Sequence, residues 1–308
     1  MNCELNRIEL DVKVRISPFL SALLAMTFVV CHARAQAVEP STEADNKITV
    51  QRCAQLAASD AKFGPLATVC QYALSPNNLP SFVCDQSVQQ FSGIAGPKDW
   101  RQVALITAVV TFEQGKGDRI SKVAKDGRPI RALTKPYRDT EINTYFLNNL
   151  RWRPPVQNMF GSDLSWVFDP YGKAQFEYTG EMNVDDNTMI VFGYRVPKGR
   201  GPSIGWNWPE QPGTYVAMNG LLWIDKATSS LRRMVVHYTD FDPGFWAYAA
   251  SSAIDYRWVE ISDLGKFLLP TGAEYMQCEQ SKFGCWRDVV TFSNCHKYAG
   301  KSRILPAE

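Results

Sequence analysis

The sequence predicts a mainly β protein of the α+β class. We expect a large curved antiparallel sheet, left open as a half-barrel, with one or two packed helices and a helical N-terminal extension. Over residues 78–300, short apolar or alternating segments are separated by turn residues, at the spacing of an antiparallel sheet. One large sheet must cover its apolar face with a second sheet or by curling around helices, and curling gives the half-barrel.

The first 37 residues have the pattern of a secretory signal peptide. Lys13 and Arg15 precede an apolar run over 16–31, and residues 33–37 (Ala-Arg-Ala-Gln-Ala) form a small-x-small cleavage site. An uncleaved membrane anchor and a lipoprotein are the alternatives. We therefore expect an exported protein of the periplasm or the extracellular space, whose mature chain has no transmembrane segment.

Four parts follow from these patterns: a signal peptide at 1–37, a helical extension at 38–77, the β domain at 78–300 and a C-terminal tail at 301–308. Within the extension, apolar residues repeat at helical spacing over 48–74. Gly64-Pro65 is expected to divide that stretch into two helices. One further helix is expected around 140–150.

About ten strands are predicted from alternation and apolar runs. They lie at 82–89, 100–112, 120–125, 189–196, 215–224, 231–238, 254–259, 266–269, 274–279 and 286–295. The strand at 100–112 is apolar on both faces, which is typical of a central strand covered on both sides. Asp126-Gly127 is a hairpin turn signal, and residues 225–230 join two long strands.

Six cysteines follow the signal peptide: Cys53, Cys70, Cys84, Cys278, Cys285 and Cys295. An even number in an exported chain favours disulfides. We expect a Cys53–Cys70 bridge between the two helices and a Cys278–Cys285 bridge across a hairpin, and one member of the C-terminal trio should reach Cys84. A zinc site is the alternative, although the C-x2-C spacing typical of zinc sites is missing.

The segment from Gly220 to Met234 carries a family resemblance. Gly220-Leu-Leu-Trp-Ile-Asp-Lys-Ala-Thr228, then Leu231-Arg-Arg-Met234, resembles the strand–turn–strand of the LolA/LolB-like periplasmic lipoprotein-carrier superfamily, with Ser229 where glycine is usual. Residues 78–86, 255–260 and 267–270 are similar to strands of uncharacterised secreted proteins of acidobacterial type. The resemblance implies an unclosed β-barrel around an apolar cavity that takes acyl chains. It assigns no functional residue.

Few residues of the predicted mature chain point to catalysis. Its only histidines are His237 and His296. The G-x-S-x-G match at Gly201–Gly205 lacks the strand-to-helix setting of a nucleophile elbow. The carboxylate pairs Asp185-Asp186 and Asp240/Asp242 have the neighbours of turn residues. We therefore expect no enzyme activity, no cofactor and no metal.

The predicted function is non-catalytic binding or transport of a hydrophobic ligand, a lipid or acyl chain, in the half-barrel. The candidate contacts are Val110, Phe112, Ile190, Phe192, Trp206, Trp208, Leu222 and Trp223. Trp206 and Trp208 belong to a long Gly/Pro-rich loop of the kind that is often functional. One alternative is an envelope carbohydrate-binding module that stacks sugars on these two rings, and another is a protein–protein interaction part of a surface assembly.

The expected partner is a hydrophobic small molecule or lipid, with an envelope protein as a second candidate. The formal net charge of the chain is only +2. A nucleic-acid-binding protein needs a basic stripe that replaces counterions. We therefore expect no nucleic acid partner.

Overall fold

Eleven antiparallel strands form one sheet that is not closed into a barrel. The computed structural model describes residues 42–74, 79–93, 100–114, 117–133, 162–200, 203–204, 214–245, 247–280 and 284–298. The predicted mainly β half-barrel is therefore confirmed. The predicted signal peptide, the helix around 140–150 and the C-terminal tail lie outside the described residues, and the predicted domain boundaries stay predictions.

Three α-helices lie in the described ranges: α1 Thr42–Ser59, α2 Gly64–Ala73 and α3 Ser162–Phe168. Single 3-10 turns cover Ala61–Phe63, Arg131–Leu133 and Pro170–Gly172. Among these elements, none has both the length and the apolar character that crossing a bilayer requires.

The break between the first two helices lies earlier than the sequence predicts. α1 ends at Ser59, and the Asp60 side chain accepts a hydrogen bond from the backbone N–H of Lys62, which starts the 3-10 turn. Gly64-Pro65 begins α2 instead of ending α1. Proline is tolerated in the first turn of a helix because the N–H that it lacks would have no partner within the helix there.

The strands are β1 Phe82–Gly93, β2 Arg101–Glu113, β3 Gly117–Lys125, β4 Arg128–Pro129, β5 Gln175–Val184, β6 Asn187–Val196, β7 Ser203–Ile204, β8 Thr214–Tyr215, β9 Ala217–Asp225, β10 Leu231–Thr239, β11 Ala247–Ile261, β12 Gly265–Glu279 and β13 Cys285–Lys297. The large sheet has the order β4-β3-β2-β1-β13-β12-β11-β10-β9-β6-β5, and β7 pairs with β8 separately. The first long strand therefore lies beside the last one, near the middle of the sheet.

One face of the sheet is packed against the helices, and we call it the inner face. It carries, among others, Phe192, Leu222, Met234 and Ile254, which are at most 1% exposed. The Phe63 ring, just before α2, lies 5.3 Å from the Phe192 ring. The opposite face is called the outer face. Side chains alternate between the two faces along each strand.

Three strands differ from the prediction. The strand at 100–112 is not covered on both sides, because Val103 on the outer face is 45% exposed. The two short strands at 266–269 and 274–279 are one strand, β12, since the ladder to β11 continues through Pro270 with a local shift in register. β5 is absent from the predicted set, although Phe176, Tyr178, Met182 and Val184 alternate with polar residues along it and only Gly180 interrupts the apolar phase.

All three expected disulfides form. Cys53 of α1 pairs with Cys70 of α2, Cys278 of β12 pairs with Cys285 of β13, and Cys84 of β1 pairs with Cys295 of β13. Cys84–Cys295 spans 211 residues of sequence. It therefore links the first long strand of the chain covalently to the last strand.

Asp225 organises the turn between β9 and β10. One oxygen of its carboxylate accepts the backbone N–H groups of Ala227 and Thr228, each at 3.0 Å, and the other lies 3.4 Å from the guanidinium of Arg232. Ser229, at the position where the sequences that this turn resembles usually have glycine, takes a left-handed φ of +53°. Burial alone would raise the pKa of Asp225, but the hydrogen bonds from Thr228, the charge of Arg232 and the Ala227 N–H together lower it.

Gly220 of β9 sits under a contact between its two neighbouring strands. Tyr194 of β6 reaches across it, and the Tyr194 hydroxyl donates a 3.0 Å hydrogen bond to the Val235 carbonyl of β10. A Cβ on Gly220 would overlap that carbonyl oxygen and would lie 2.9 Å from the Tyr194 hydroxyl. Only glycine fits here without moving the backbone.

We expect Gly220→Ala to lower the free energy of unfolding by about 3 kcal/mol, because overpacking of this kind forces the backbone to shift. Urea unfolding measures the loss. Gly193→Ala on neighbouring β6 is the matched control, since the nearest heavy atom to its Cβ is 3.6 Å away. Equal stability of the two variants would contradict the close approach at Gly220.

Asp225→Asn should make the protein less stable at neutral pH by about 2 kcal/mol, the scale of hydrogen bonds to a charged group. Because the pKa of Asp225 is lowered on folding, its carboxylate stabilises the fold above the unfolded pKa of about 3.9, and this contribution is lost as the pH falls through the folded pKa. The wild type and the variant should therefore converge in acid. Denaturant unfolding between neutral pH and pH of about 2 tests this. Asp185→Asn, in the exposed β5–β6 turn, should leave the pH profile unchanged.

Candidate functional site

The inner face carries a continuous apolar row that crosses the sheet from strand to strand. The register pairs its members directly, so that each side chain lies beside the next. In order from β1 to β5 the row is Val88, Val290, Ala273, Ile254, Met234, Leu222, Phe192 and Tyr178. All but Tyr178 are buried. The row is therefore a continuous apolar strip across the sheet.

A polar row follows two residues along each strand on the same face. From β1 to β11 its members are Gln90, Asp288, Tyr275 and Ser252, and it continues as Val236, Gly220 and Tyr194. Gln90, Asp288 and Ser252 are at most 5% exposed. A third row holds Trp286, Gln277, Ala250 and Tyr238. One end of the inner face is therefore amphipathic.

Two polar atoms in these rows lack a hydrogen bond. The Ser252 hydroxyl, on a residue that is 2% exposed, and the side-chain amide nitrogen of Gln277 are buried and make none with the chain as described. Leaving a buried donor unsatisfied costs free energy. These two groups therefore offer hydrogen bonds to a bound molecule or to water.

The helical pair α1–α2 covers part of the inner face, including the Phe192 and Tyr178 end of the apolar row. The Tyr72 hydroxyl donates to the Leu268 carbonyl of β12, and burial raises the pKa of Tyr72. Arg52 donates to the Ala174 carbonyl at 3.1 Å. The Lys62 ammonium lies 5.1 Å from the centre of the Tyr178 ring of β5. The pair is thus fixed to β12 and to the β5 edge by individual contacts.

The predicted ligand contacts fall into three groups. Val110, Phe112, Ile190, Phe192 and Leu222 lie on the inner face and are buried. Trp223, which is adjacent to Leu222, points to the outer face, where it pairs with Arg233 and Val191. Trp206 and Trp208 lie outside the described residues. The structure therefore brings five of the eight side chains to one face.

The residues considered for catalysis do not converge. His237 is exposed on the outer face, and His296 is exposed with its Nδ1 at 2.8 Å from the Asn294 carbonyl. Asp185 and Asp186 form the β5–β6 turn with left-handed φ values. Among the described residues, no three histidine, cysteine or acidic side chains are grouped as metal ligands.

The sequence-based search missed the polar row, although a signal for it is present. Gln86 and Gln90 fall in the same alternating phase as Phe82, Cys84 and Val88 of β1. Two glutamines on a buried phase indicate polar chemistry within the core. Asp288 and Ser252 carry no such local signal, because only the long-range register places them beside it.

Comparison with known proteins adds to the description of the fold. No protein-family model and no curated protein matches the chain. Among solved structures, a domain from Vibrio parahaemolyticus described as a candidate outer membrane lipoprotein-sorting protein has 9% identity and a TM-score of 0.38, over 74% of this chain and 90% of that one. A LolA superfamily protein from Nitrosomonas europaea has 12% identity and a TM-score of 0.30, over 72% and 88%.

A DUF1329 family protein from Desulfovibrio piger has 13% identity and a TM-score of 0.36, covering 82% of this chain and 95% of that one. Two of these structures have LolA or lipoprotein-sorting in their names, the family that the segment 220–234 resembles, but at these TM-scores they assign no superfamily to this chain. The narrower similarity to acidobacterial proteins stays a prediction. At these identities the likeness concerns the fold and says nothing of a ligand.

Removing the Cys53–Cys70 bridge should loosen the helical pair more than the sheet. For a bridge that spans 17 residues, the loop-entropy model gives a loss of about 3 kcal/mol. In Cys53→Ala/Cys70→Ala, amide hydrogen exchange should accelerate in α1 and α2 while β9 and β10 keep their protection.

The double variant Cys278→Ala/Cys285→Ala is the control, because that bridge joins two strands far from the helices in sequence. It should leave exchange in α1 and α2 as in the wild type. Unchanged protection of α1 and α2 without Cys53–Cys70 would mean that the contacts with the sheet alone hold them.

Proposed function

We propose that the protein is an exported, non-catalytic binding protein that holds an amphipathic ligand, such as a lipid with an acyl chain, against the inner face of its half-barrel. The proposal rests on one observation: the apolar row and the polar row lie side by side on the same face of the sheet. An acyl chain matches the first row, and a polar head group matches the second.

The apolar row supplies the affinity in this proposal. Burial of apolar area contributes about 25 cal/mol per Å², so a single acyl chain gains useful binding energy without polar recognition. Phe192 and Leu222 lie in the apolar row, and Val110, Phe112 and Ile190 lie on the same face. Trp223 is left out of the proposed contacts because it faces the other way.

The polar row, with Ser252, and the third row, with Gln277, supply orientation. The Gln277 amide nitrogen can only donate hydrogen bonds, and the Ser252 hydroxyl can donate one and accept others. A head group with oxygen acceptors, such as a carboxyl or an ester group, would satisfy both donors. The ligand would then lie with its head near Ser252 and its chain along the apolar row.

The helical pair is the proposed route of access. α1 and α2 are tied to each other by Cys53–Cys70, so they can move as one unit. The Tyr72–Leu268 hydrogen bond and the Phe63–Phe192 ring contact hold that unit on the sheet. If contacts with the ligand replaced these two contacts, the helical pair would be released from the sheet and the inner face would be uncovered.

Export and the partner class belong to the same proposal. The signal-peptide pattern over 1–37 predicts a periplasmic or extracellular location, and three disulfides fit an oxidising compartment. A second, envelope-protein partner is part of the proposal, and no enzymatic activity is assigned. Sugar binding by Trp206 and Trp208 stays a prediction.

The full chain should be expressed in an exporting bacterial host, purified from the periplasm and examined by native mass spectrometry. We expect adducts of lipid mass that disappear on denaturation. The delipidated protein should bind dansyl-labelled undecanoic acid saturably. A clean apo mass together with the absence of saturable binding would overturn the proposal.

Ser252→Ala should weaken binding of the same probe by about tenfold, the equivalent of about one hydrogen bond. Ser251→Ala is the matched control, because Ser251 is the adjacent residue of β11 and points to the outer face. It should bind as the wild type does. If both variants weakened binding of the probe equally, the effect would not be specific to the inner face, and the proposed contact with Ser252 would be wrong.

A further inference from the structure

A second concave site lies at one end of strands β10, β11 and β12. The pocket has a volume of about 620 Å³, which is within the range of small-molecule sites. The register places His237, Ser251 and Met276 side by side across these strands on the outer face. Residues 240–243 of the loop between β10 and β11 form one wall. The other lining residues are Tyr238, Thr239, Tyr248, Ala249, Ala250 and Gln280.

The loop wall is held in position by contacts outside the pocket. The Lys198 ammonium donates to one carboxylate oxygen of Asp242 at 2.6 Å, and the Thr214 hydroxyl donates to the other. The rings of Phe241 and Phe245 stack with centroids 5.9 Å apart. A wall that is already formed loses little conformational entropy on binding. The pocket is therefore pre-organised.

The lining combines hydrogen-bonding groups with three aromatic rings, those of Tyr238, Phe241 and Tyr248. Tyr248 is 56% exposed, so much of its ring is free for contact. His237, Asp240 and Gln280 are exposed, and Ser251 is half-buried. Together they provide an imidazole, a carboxylate, an amide and a hydroxyl, which both donate and accept hydrogen bonds. Pro243 and Met276 add apolar surface beside these polar groups, so the lining suits a ligand that has both polar and apolar faces.

The charge of the pocket narrows the ligand class. Asp240 forms no ion pair with any side chain in the described ranges, and its carboxylate can accept two hydrogen bonds from adjacent hydroxyl groups. Lys198, the nearby cation, is already engaged by Asp242. The pocket therefore disfavours anionic ligands and favours neutral or cationic ones.

We propose that this pocket binds a saccharide, a neutral sugar or an amino sugar, whose hydroxyl groups bond to Asp240, Ser251 and His237 and whose apolar ring face packs on Tyr248. Sugars offer this combination of adjacent donors and acceptors on a ring with an apolar face. The strand residues His237 and Ser251 of the pocket lie on the outer face, and Ser252 is not among its lining residues. Tyr238 and Ala250 of the third row nevertheless contribute to one side of the pocket.

The test is calorimetric titration of the full chain, purified from the exporting host, with a tetramer of β-1,4-linked glucosamine. We expect saturable binding with a Kd below about 1 mM, and about tenfold or greater weakening in Tyr248→Ala, the effect of losing roughly 1.4 kcal/mol of contact. Tyr248→Phe keeps the ring and should bind as the wild type does. No saturable binding, or equal affinity of Tyr248→Ala, overturns the proposal.

Two further controls distinguish binding at this site from non-specific binding and from binding at the inner face. A tetramer of galacturonic acid has similar size and opposite charge, and it should bind at least tenfold more weakly; equal binding overturns the proposed role of Asp240. Ser252→Ala should leave glucosamine-tetramer binding unchanged while it weakens the dansyl-labelled acid. The two proposals are therefore tested by different probes, and loss of binding of the dansyl-labelled acid would not count against the saccharide site.

Discussion

The pairing of β1 with β13 is the constraint on which the rest of the structure depends. It runs from Phe82 opposite Lys297 to Gly93 opposite Cys285 and joins the strands β4–β1 to the strands β13–β5. Without it the sheet would be two smaller sheets with separate inner faces. Bringing together segments so distant in sequence has an entropic cost that grows with loop length. Ladder hydrogen bonds and the Cys84–Cys295 bridge oppose that cost.

Both proposed sites depend on the same register. Gln90 meets Asp288 across the β1–β13 junction, so the polar row exists only when that pairing is correct. On β11, Ser252 faces inward and Ser251 outward. A one-residue slip of a strand moves every side chain to the other face, and it would exchange these two serines. The chemistry of each face is therefore a consequence of strand pairing.

The sequence predicts best those features that short segments determine. The turn at Asp126-Gly127 and the bridge between Cys278 and Cys285 depend on residues close in sequence, and both form as expected. β5 was missed although Phe176, Tyr178, Met182 and Val184 alternate with polar residues along it; Gly180 interrupts the apolar phase, and the strand's place beside β6 follows only from pairing. The join between the two short segments of β12 was hidden by Pro270.

Prediction of the candidate site shows the same division. Val110, Phe112, Ile190, Phe192 and Leu222 are apolar and fall on one face, yet an apolar side chain alone does not reveal its face. Trp223 is the instructive exception, because it immediately follows Leu222 in a strand that is apolar on both sides. The buried serine and aspartate of the polar row are found only after the strands are paired.

The hairpin that carries the family resemblance is explained by folding and not by ligand binding. The Asp225 carboxylate accepts hydrogen bonds from backbone N–H groups of its own turn and pairs with Arg232. Trp223 faces away from the apolar row. Gly220 is required by the Tyr194–Val235 contact above it. A signature made of such residues reports how β9 and β10 are joined. Any ligand specificity must therefore come from residues outside that signature. The rows that cross the inner face carry buried polar side chains, and there this chain differs from a purely apolar half-barrel.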